Sequence, residues 1–144
     1  MSLSIEERQA VVAFRLEKSK RALEQASGIV QMQYWETIAN RLYYAAYNAV
    51  SALLIAYGHT TQTHSGVTHL FGLHFIKTGL VPTEYGRLYH KLFSMRLTGD
   101  YDDTYGISEE DVLPYIDPAR ELINTVSKLA QERLSQLGSN EEIK

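Results

Sequence analysis

The sequence predicts an all-α protein, an antiparallel bundle of four to five helices. Apolar residues recur at three- and four-residue steps in several separate segments, which is the spacing of one helix face. No segment alternates apolar and polar residues in the way that a half-buried strand does. The breaks between the helical segments are short, which favours antiparallel neighbours. We assign residues 1–137 to a single helical domain and expect residues 138–144 to form a flexible tail.

The first two helices are indicated by a cap and by a long apolar stripe. Ser4 is a hydroxyl cap followed by acidic residues, and it predicts a helix that ends near Gly28. Apolar residues then recur on one face from about Gln33 to Tyr57, which predicts a second helix. Gly58 is expected to end it.

The third and fourth helices are bounded by glycine and proline. The third is predicted from His64 to Thr78 and is ended by Gly79. The fourth opens at Pro82 and is predicted to end at Gly99.

The last helix begins at a sequence that resembles a capping box, Ser-Glu-Glu-Asp at 108–111. Pro114 fits an opening turn, whereas Pro118 is predicted to bend the helix.

Composition excludes several functional classes. The 144 residues include no cysteine and carry a formal net charge of −3. Disulfides, thiolate zinc sites and cysteine nucleophiles are therefore excluded, and a cytoplasmic protein is expected. No apolar run reaches a membrane span of about 18 residues, and the first residues lack the pattern of a secretion signal. The net negative charge means that any contact with nucleic acid has to come from a local basic patch.

Arg96 carries the strongest functional signal, because it falls on an apolar helix face. At about 100° per residue it lies near Tyr89 and Leu92 on the fourth helix. A buried charge without a partner is costly, so Arg96 needs an ion pair or a cavity. Asp100, four residues on, offers a structural ion pair. The alternative is an arginine that faces a phosphate, with the acidic and tyrosine residues of 100–105 around it.

A second arginine lies on a separate face of the second helix. Arg41 aligns there with small and polar residues, namely Tyr34, Ala45, Asn48 and Ala52. One interpretation is a solvated arginine beside incidental alanines. The other is that this face meets the fourth helix, within the bundle or across a dimer, so that two arginines and tyrosine rings bind a phosphate and a stacked base.

The histidines do not predict a metal site. Four of them recur at five-residue intervals, at positions 59, 64, 69 and 74. Five residues rotate a helix face by about 140°, so the helical ones diverge, whereas zinc pairs need a step of three or four. We expect no metal and no cofactor. His64, at the mouth of the third helix, is the histidine that fits a cap or a site residue.

Three segments together resemble the signature blocks of HEPN domains. They are Ala-Asn-Arg-Leu-Tyr-Tyr-Ala-Ala-Tyr at 39–47, Thr-His-Ser-Gly-Val at 63–67 and Arg-Leu-Thr-Gly-Asp-Tyr at 96–101. The resemblance is strongest to the small stand-alone branch of the family, and it implies a five-helix bundle that forms a homodimer with a cleft near the symmetry axis. Members are implicated in RNA cleavage or in RNA and nucleotide binding, and many pair with a small nucleotidyltransferase as toxin and antitoxin.

The residues and the resemblance together give a set of candidate site residues. The candidates for ligand binding are Arg41, Tyr44, Asn48, His64, Arg96, Asp100 and Tyr101. Arg96 and Tyr101 are also the candidates for a catalytic role.

The sequence departs from the nuclease members of the family at a decisive position. In those members four to six residues separate the arginine from a histidine, but the corresponding positions after Arg96 are Tyr101, Asp102 and Asp103. Tyrosine titrates near pH 10 and aspartate near pH 4, so neither is a ready proton carrier at neutral pH. In some members the partner transfers AMP to a tyrosine that lies two residues beyond the histidine. Tyr105 lies two residues beyond Asp103 and so keeps that spacing.

Three functions therefore stay open. The preferred one is a non-catalytic or weakly catalytic HEPN protein that binds nucleotide or RNA and pairs with a nucleotidyltransferase. The first alternative is a metal-independent ribonuclease toxin that uses Arg96 with Tyr101 or His64. The second is a purely structural dimerisation module with a tyrosine-rich interface.

Overall fold

A computed structural model of the chain describes residues 3–101 and 106–143, and for residue 101 and residues 139–143 it describes the backbone alone. The described residues form α-helices and short helical turns, without a strand, which confirms the all-α prediction. The α-helices are α1 (Ile5–Gly28), α2 (Trp35–Ala56), α3 (His64–Phe71), α4 (Thr83–Tyr101), α5 (Glu109–Val112) and α6 (Ile116–Ile143).

A capping box starts α1, as predicted. The Ser4 hydroxyl accepts a hydrogen bond from the Glu7 backbone N–H at 3.1 Å, and the Glu7 carboxylate accepts one from the Ser4 N–H at 3.0 Å. These two bonds satisfy donors that a helix start leaves open. They also lower the pKa of Glu7. A single 3-10 turn, Val30–Met32, separates α1 from α2.

The central element of the bundle is α2, which packs against α1, α4 and α6. Its alanine-rich sides allow these neighbours to approach closely, and the Ser19 hydroxyl of α1 donates a 2.6 Å hydrogen bond to the Ala45 carbonyl of α2. Most of its side chains are buried, including the large ones of Ile38, Leu42 and Leu53. Burial on nearly every side makes α2 the core of the fold.

The predicted third helix is divided in two. Thr63 caps α3 by accepting a hydrogen bond from the Gly66 N–H at 2.9 Å. The chain then continues as a π-helical turn, Gly72–Ile76, and Gly79 follows with φ of +81°. That left-handed conformation favours glycine and ends the segment.

The prediction that α4 ends at Gly99 is wrong, because the helix continues to Tyr101. Gly99 faces the first turn of α2, where a β-carbon on it would lie 3.5 Å from the Glu36 Cα. The glycine therefore sits inside the helix at a close packing point. As a consequence, Arg96 and Asp100 lie one turn apart on one helix face.

The last helical region is interrupted earlier than predicted. Asp111 accepts hydrogen bonds from the Ser108 backbone N–H and hydroxyl at 2.9 and 3.0 Å, so this cap starts α5. A 3-10 turn, Leu113–Tyr115, contains Pro114 and precedes α6. Pro118 lies in the first turn of α6, where its missing N–H removes no helix bond, so the helix accommodates it. The bend expected at Pro118 stays a prediction.

The last helix is continuous through Ile143, past Gly138. The division of the chain into a domain at 1–137 and a tail at 138–144 stays a prediction. Within the described ranges, no helix is both long and apolar enough to cross a bilayer.

Candidate functional site

Arg96 lies between α4 and α2, and its side chain is only 13% exposed. Its Nε is 3.0 Å from the Asp100 Oδ2, and its Nη2 donates a hydrogen bond to the Tyr44 hydroxyl at 3.0 Å. The guanidinium carbon is also 5.6 Å from the ring centroid of Tyr43 and 5.4 Å from that of Tyr44. The ion pair expected from the sequence is present, and two tyrosine rings lie beside it.

Arg41 approaches the same tyrosine. Its guanidinium carbon is 5.4 Å from the Tyr44 ring centroid, the same distance as that of Arg96. Its Nη1 donates a hydrogen bond to the Gln25 Oε1 of α1 at 3.2 Å. The two arginines singled out in the sequence therefore meet at one ring within a single chain.

Asn40 links the two arginines. Its Oδ1 accepts hydrogen bonds from the Arg41 Nε at 3.1 Å and Nη2 at 2.7 Å, while its Nδ2 donates one to the Asp100 Oδ2 at 3.2 Å. The Asp100 carboxylate is thereby shared between Asn40 and Arg96. Sequence reasoning did not select Asn40, although its place next to Arg41 in the first HEPN-like block was a usable signal.

His64 joins this cluster from the start of α3. Its Nδ1 lies 2.6 Å from the Tyr43 hydroxyl, and its ring lies against Tyr47 with a centroid distance of 4.5 Å. Burial, and secondarily the Arg96 cation, lower the pKa of His64. The imidazole is therefore neutral at pH 7.

Tyr43 stays protonated at the centre of the cluster. Burial raises the pKa of its hydroxyl to about 12. Tyr43 and Tyr47 were not selected as site residues from the sequence. Their spacing from Tyr44, one and three residues along α2, was the available signal.

We call this group the two-arginine site. It consists of Asn40, Arg41, Tyr43, Tyr44, His64, Arg96 and Asp100.

The remaining candidates lie elsewhere or outside the described residues. Asn48 is 7% exposed, donates a hydrogen bond to the Tyr44 carbonyl at 2.8 Å and accepts one from the Arg15 Nη1 at 3.3 Å. It thus connects α2 to α1 instead of facing the arginines. The side chain of Tyr101 and all of Tyr105 fall outside what the structure describes.

Two further histidines contact each other. His59 and His74 stack on each other with centroids 3.9 Å apart, and burial, followed by the His74 charge, lowers the pKa of His59. Among the described residues, no three histidine or acidic side chains gather in the way that a metal ion would need.

The charges of the two-arginine site favour an anion. Arg41 and Arg96 carry two positive charges, and the Asp100 carboxylate contacts Arg96 directly and is linked to Arg41 through Asn40. Guanidinium groups bind phosphate through paired N–H donors, and tyrosine faces are stacking surfaces for bases. The arrangement is chemically suited to a phosphate with a base attached.

Comparison with known proteins agrees with the resemblance to HEPN domains. The sequence model of the HEPN domain matches residues 12–129. A UPF0332 protein of Thermotoga maritima is 32% identical over 126 residues, which cover 88% of this chain and 96% of that protein. A protein of Methanocaldococcus jannaschii named "Putative toxin MJ0142" is 26% identical over 129 residues, covering 90% of this chain and 88% of that protein.

A solved structure shares the fold. The crystal structure of TT1696 from Thermus thermophilus matches with a TM-score of 0.65 and 18% identity, covering 85% of this chain and 97% of that chain. The sequence match extends over most of the bundle, from α1 into α6. The chain therefore belongs to the HEPN domain family.

Proposed function

We propose that this HEPN protein binds the phosphate of a nucleotide or of RNA at the two-arginine site, with little or no catalysis. The observation that carries the proposal is the convergence of Arg41 and Arg96 on the ring of Tyr44. Two guanidiniums at one aromatic surface offer the charge and the stacking face that a nucleotide needs.

The polar partners of the arginines prepare the site for such a ligand. Asp100 and Asn40 hold the two guanidiniums in place in the free protein. The terminal phosphate of a mononucleotide carries more charge than the carboxylate, so it competes with Asp100 for Arg96. The pre-positioned side chains lose less freedom on binding than solvated arginines would.

The expectation of weak catalysis rests on the missing histidine after Arg96. His64 comes from a different helix, and its Nδ1 is already bonded to Tyr43. A guanidinium group offers N–H donors and no acceptor, so Arg96 cannot act as a general base.

One observation favours the alternative of a metal-independent ribonuclease. His64 is neutral at pH 7 and close enough to Arg96 for the cation to lower its pKa. A neutral imidazole beside a phosphate-binding arginine can accept the proton of a ribose 2′-hydroxyl. Under this alternative, RNA incubated without metal is cleaved, and both Arg96→Ala and His64→Ala abolish the fragments.

The partner proposal rests on the relatives. Two of them are named as putative toxins. We propose that this protein is a homodimer in the cytoplasm and pairs with a nucleotidyltransferase in a toxin–antitoxin module. Co-expression with a neighbouring nucleotidyltransferase, followed by co-purification and a mass measurement in solution, tests both assemblies.

The binding proposal is tested by calorimetric titration with AMP and with a short RNA. Arg96→Ala is expected to weaken both affinities about tenfold or more, because one charge-assisted contact is worth about 1.5–3 kcal/mol. Arg120→Ala is the matched control, since Arg120 pairs with Asp117 on an exposed part of α6. If the wild-type protein binds neither ligand, the structural dimerisation module replaces the proposal.

A further inference from the structure

A pocket lies close to the two-arginine site, between α1, α2 and the loop that follows α2. Its volume is about 210 Å³. Its apolar floor includes Leu54 and Val67, which are 1% and 2% exposed. The polar groups of its wall are Arg15, Tyr47, Ser51, His59, Thr60 and Thr61.

The wall of this pocket carries positive charge and no negative charge. Its lining contains no aspartate or glutamate. Arg15 is half-buried, and the hydrogen bond that it makes within the described residues goes to the neutral amide of Asn48 at 3.3 Å. Arg8, two helical turns before Arg15, is also half-buried and lies at the Gly58 end of the same region, with its Nη2 3.8 Å from where a Gly58 β-carbon would be. Neither arginine has an ion pair with a described carboxylate.

The buried hydroxyl of Ser51 is an independent indication that the pocket binds a polar group. The residue is 7% exposed, and its Oγ has no hydrogen-bond partner among the described residues. An unsatisfied hydroxyl in a pocket wall has a free energy cost that a ligand or a water removes. Hydroxyl groups of Thr60 and Thr61 lie in the same wall.

Side-chain contacts connect the pocket to the two-arginine site. Tyr47 lines the pocket, and its ring also lies against His64 at 4.5 Å. His64 in turn is bonded to Tyr43, whose ring lies beside the Arg96 guanidinium. Asn48 provides a second connection, since it joins Arg15 to the carbonyl of Tyr44. The pocket is therefore connected to Arg96 through the Tyr47, His64 and Tyr43 side chains.

We propose that this pocket is a second nucleotide subsite, so that the ligand of the protein is an oligonucleotide of at least two units and not a mononucleotide. The inference rests on the proposed function, because it takes the phosphate of the first unit to be bound at Arg96. The second unit places its base against Tyr47 and the pocket hydroxyls, and its phosphate at Arg15 and Arg8. The flat ring, the cationic wall and the absence of a lining carboxylate all suit a nucleotide.

The test compares AMP with the dinucleotide pApA by calorimetric titration of the full chain. The wild-type protein is expected to bind pApA about tenfold more tightly than AMP, because one further phosphate contact is worth about 1.4 kcal/mol. Arg15→Gln is expected to reduce that ratio to about one, with an unchanged affinity for AMP. Arg21→Gln, an exposed arginine on the same helix, is the matched control and should keep the ratio.

A second variant protects the test against a folding defect. Thr60→Trp changes an exposed loop residue that lines the pocket, and it should fill the pocket and remove the preference for pApA. Circular dichroism confirms that each variant is folded. The subsite alone is overturned if AMP binding depends on Arg96 but the preference for pApA is absent. It is likewise overturned if that preference survives in both pocket variants. Failure of both ligands to bind the wild-type protein overturns the proposed function and the subsite with it.

Discussion

At the scale of residues, Arg96 shows what a helix pattern can and cannot predict. Its position on an apolar face predicted a partner or a cavity, and the structure gives it Asp100 and the rings of Tyr43 and Tyr44. The helical period fixes which residues of one helix share a face, so the pair with Asp100 was predictable. The contact with the α2 tyrosines depends on how two helices pack. The period of one helix does not predict that packing.

His64 should make stability depend on pH. Its pKa is lowered in the folded protein, so the unfolded chain binds more protons below the ordinary histidine pKa of about 6.5. Its contribution is therefore complete above that pH and is lost as the pH falls through the lowered folded value. His59, with a lowered pKa as well, adds to the effect in the same direction.

The thermal midpoint is accordingly expected to fall by a few degrees between pH 7.5 and pH 5.5, a range in which Glu7 and Asp111 do not titrate because their pKa values are lowered. The variant His64→Gln should show a smaller fall, as measured by thermal unfolding at several pH values. If the thermal midpoint falls as steeply in His64→Gln as in the wild-type protein, His64 does not cause the pH dependence.

At the scale of elements, the helix ends were harder to predict than the helices. The caps at Ser4 and Ser108 were predicted correctly, since a cap is written in a few adjacent residues. The sequence predicts Gly99 as a helix stop, whereas in the structure it packs closely against Glu36. A glycine serves either purpose, and only the position of the neighbouring helix distinguishes them.

Gly99→Ala tests this difference. Inside a helix, alanine is more stable than glycine by about 0.5–1 kcal/mol, and the new β-carbon would lie at an ordinary contact distance of 3.5 Å from Glu36. We therefore expect the free energy of unfolding in urea to rise or to stay unchanged. Gly79→Ala is the contrasting control, because φ of +81° at that residue disfavours alanine and should make the variant less stable. A loss of stability in Gly99→Ala as large as that in Gly79→Ala would contradict the continuous α4.

At the scale of the whole molecule, the fold was largely predictable and the site only in part. The apolar stripe of α2 predicted a buried helix, and the structure buries α2 among α1, α4 and α6. The convergence of Arg41 and Arg96 was foreseen as one of two alternatives. Asn40, Tyr43 and the pocket at Arg15 were not foreseen, because they arise where three helices meet and no single helix period contains that information.

Leu53→Ala tests the central role of α2 in stability. Leu53 is fully buried, so its truncation should lower the free energy of unfolding by about 2–5 kcal/mol through lost burial and a new cavity. Leu97→Ala, at a side chain that is 37% exposed, should cost clearly less. Urea unfolding of both variants gives the comparison, and equal losses would argue against a core organised around α2.

The most direct test of the two-arginine site is a titration of the ¹⁵N-labelled protein with AMP, following the arginine side-chain Nε–Hε signals by NMR. Single arginine variants assign the signals. We expect AMP to shift the signals of Arg41 and Arg96 together, with one affinity, while that of Arg120 stays in place. If the Nε–Hε signals of Arg41 and Arg96 do not move at saturating AMP, the assignment of the nucleotide phosphate to this site is contradicted.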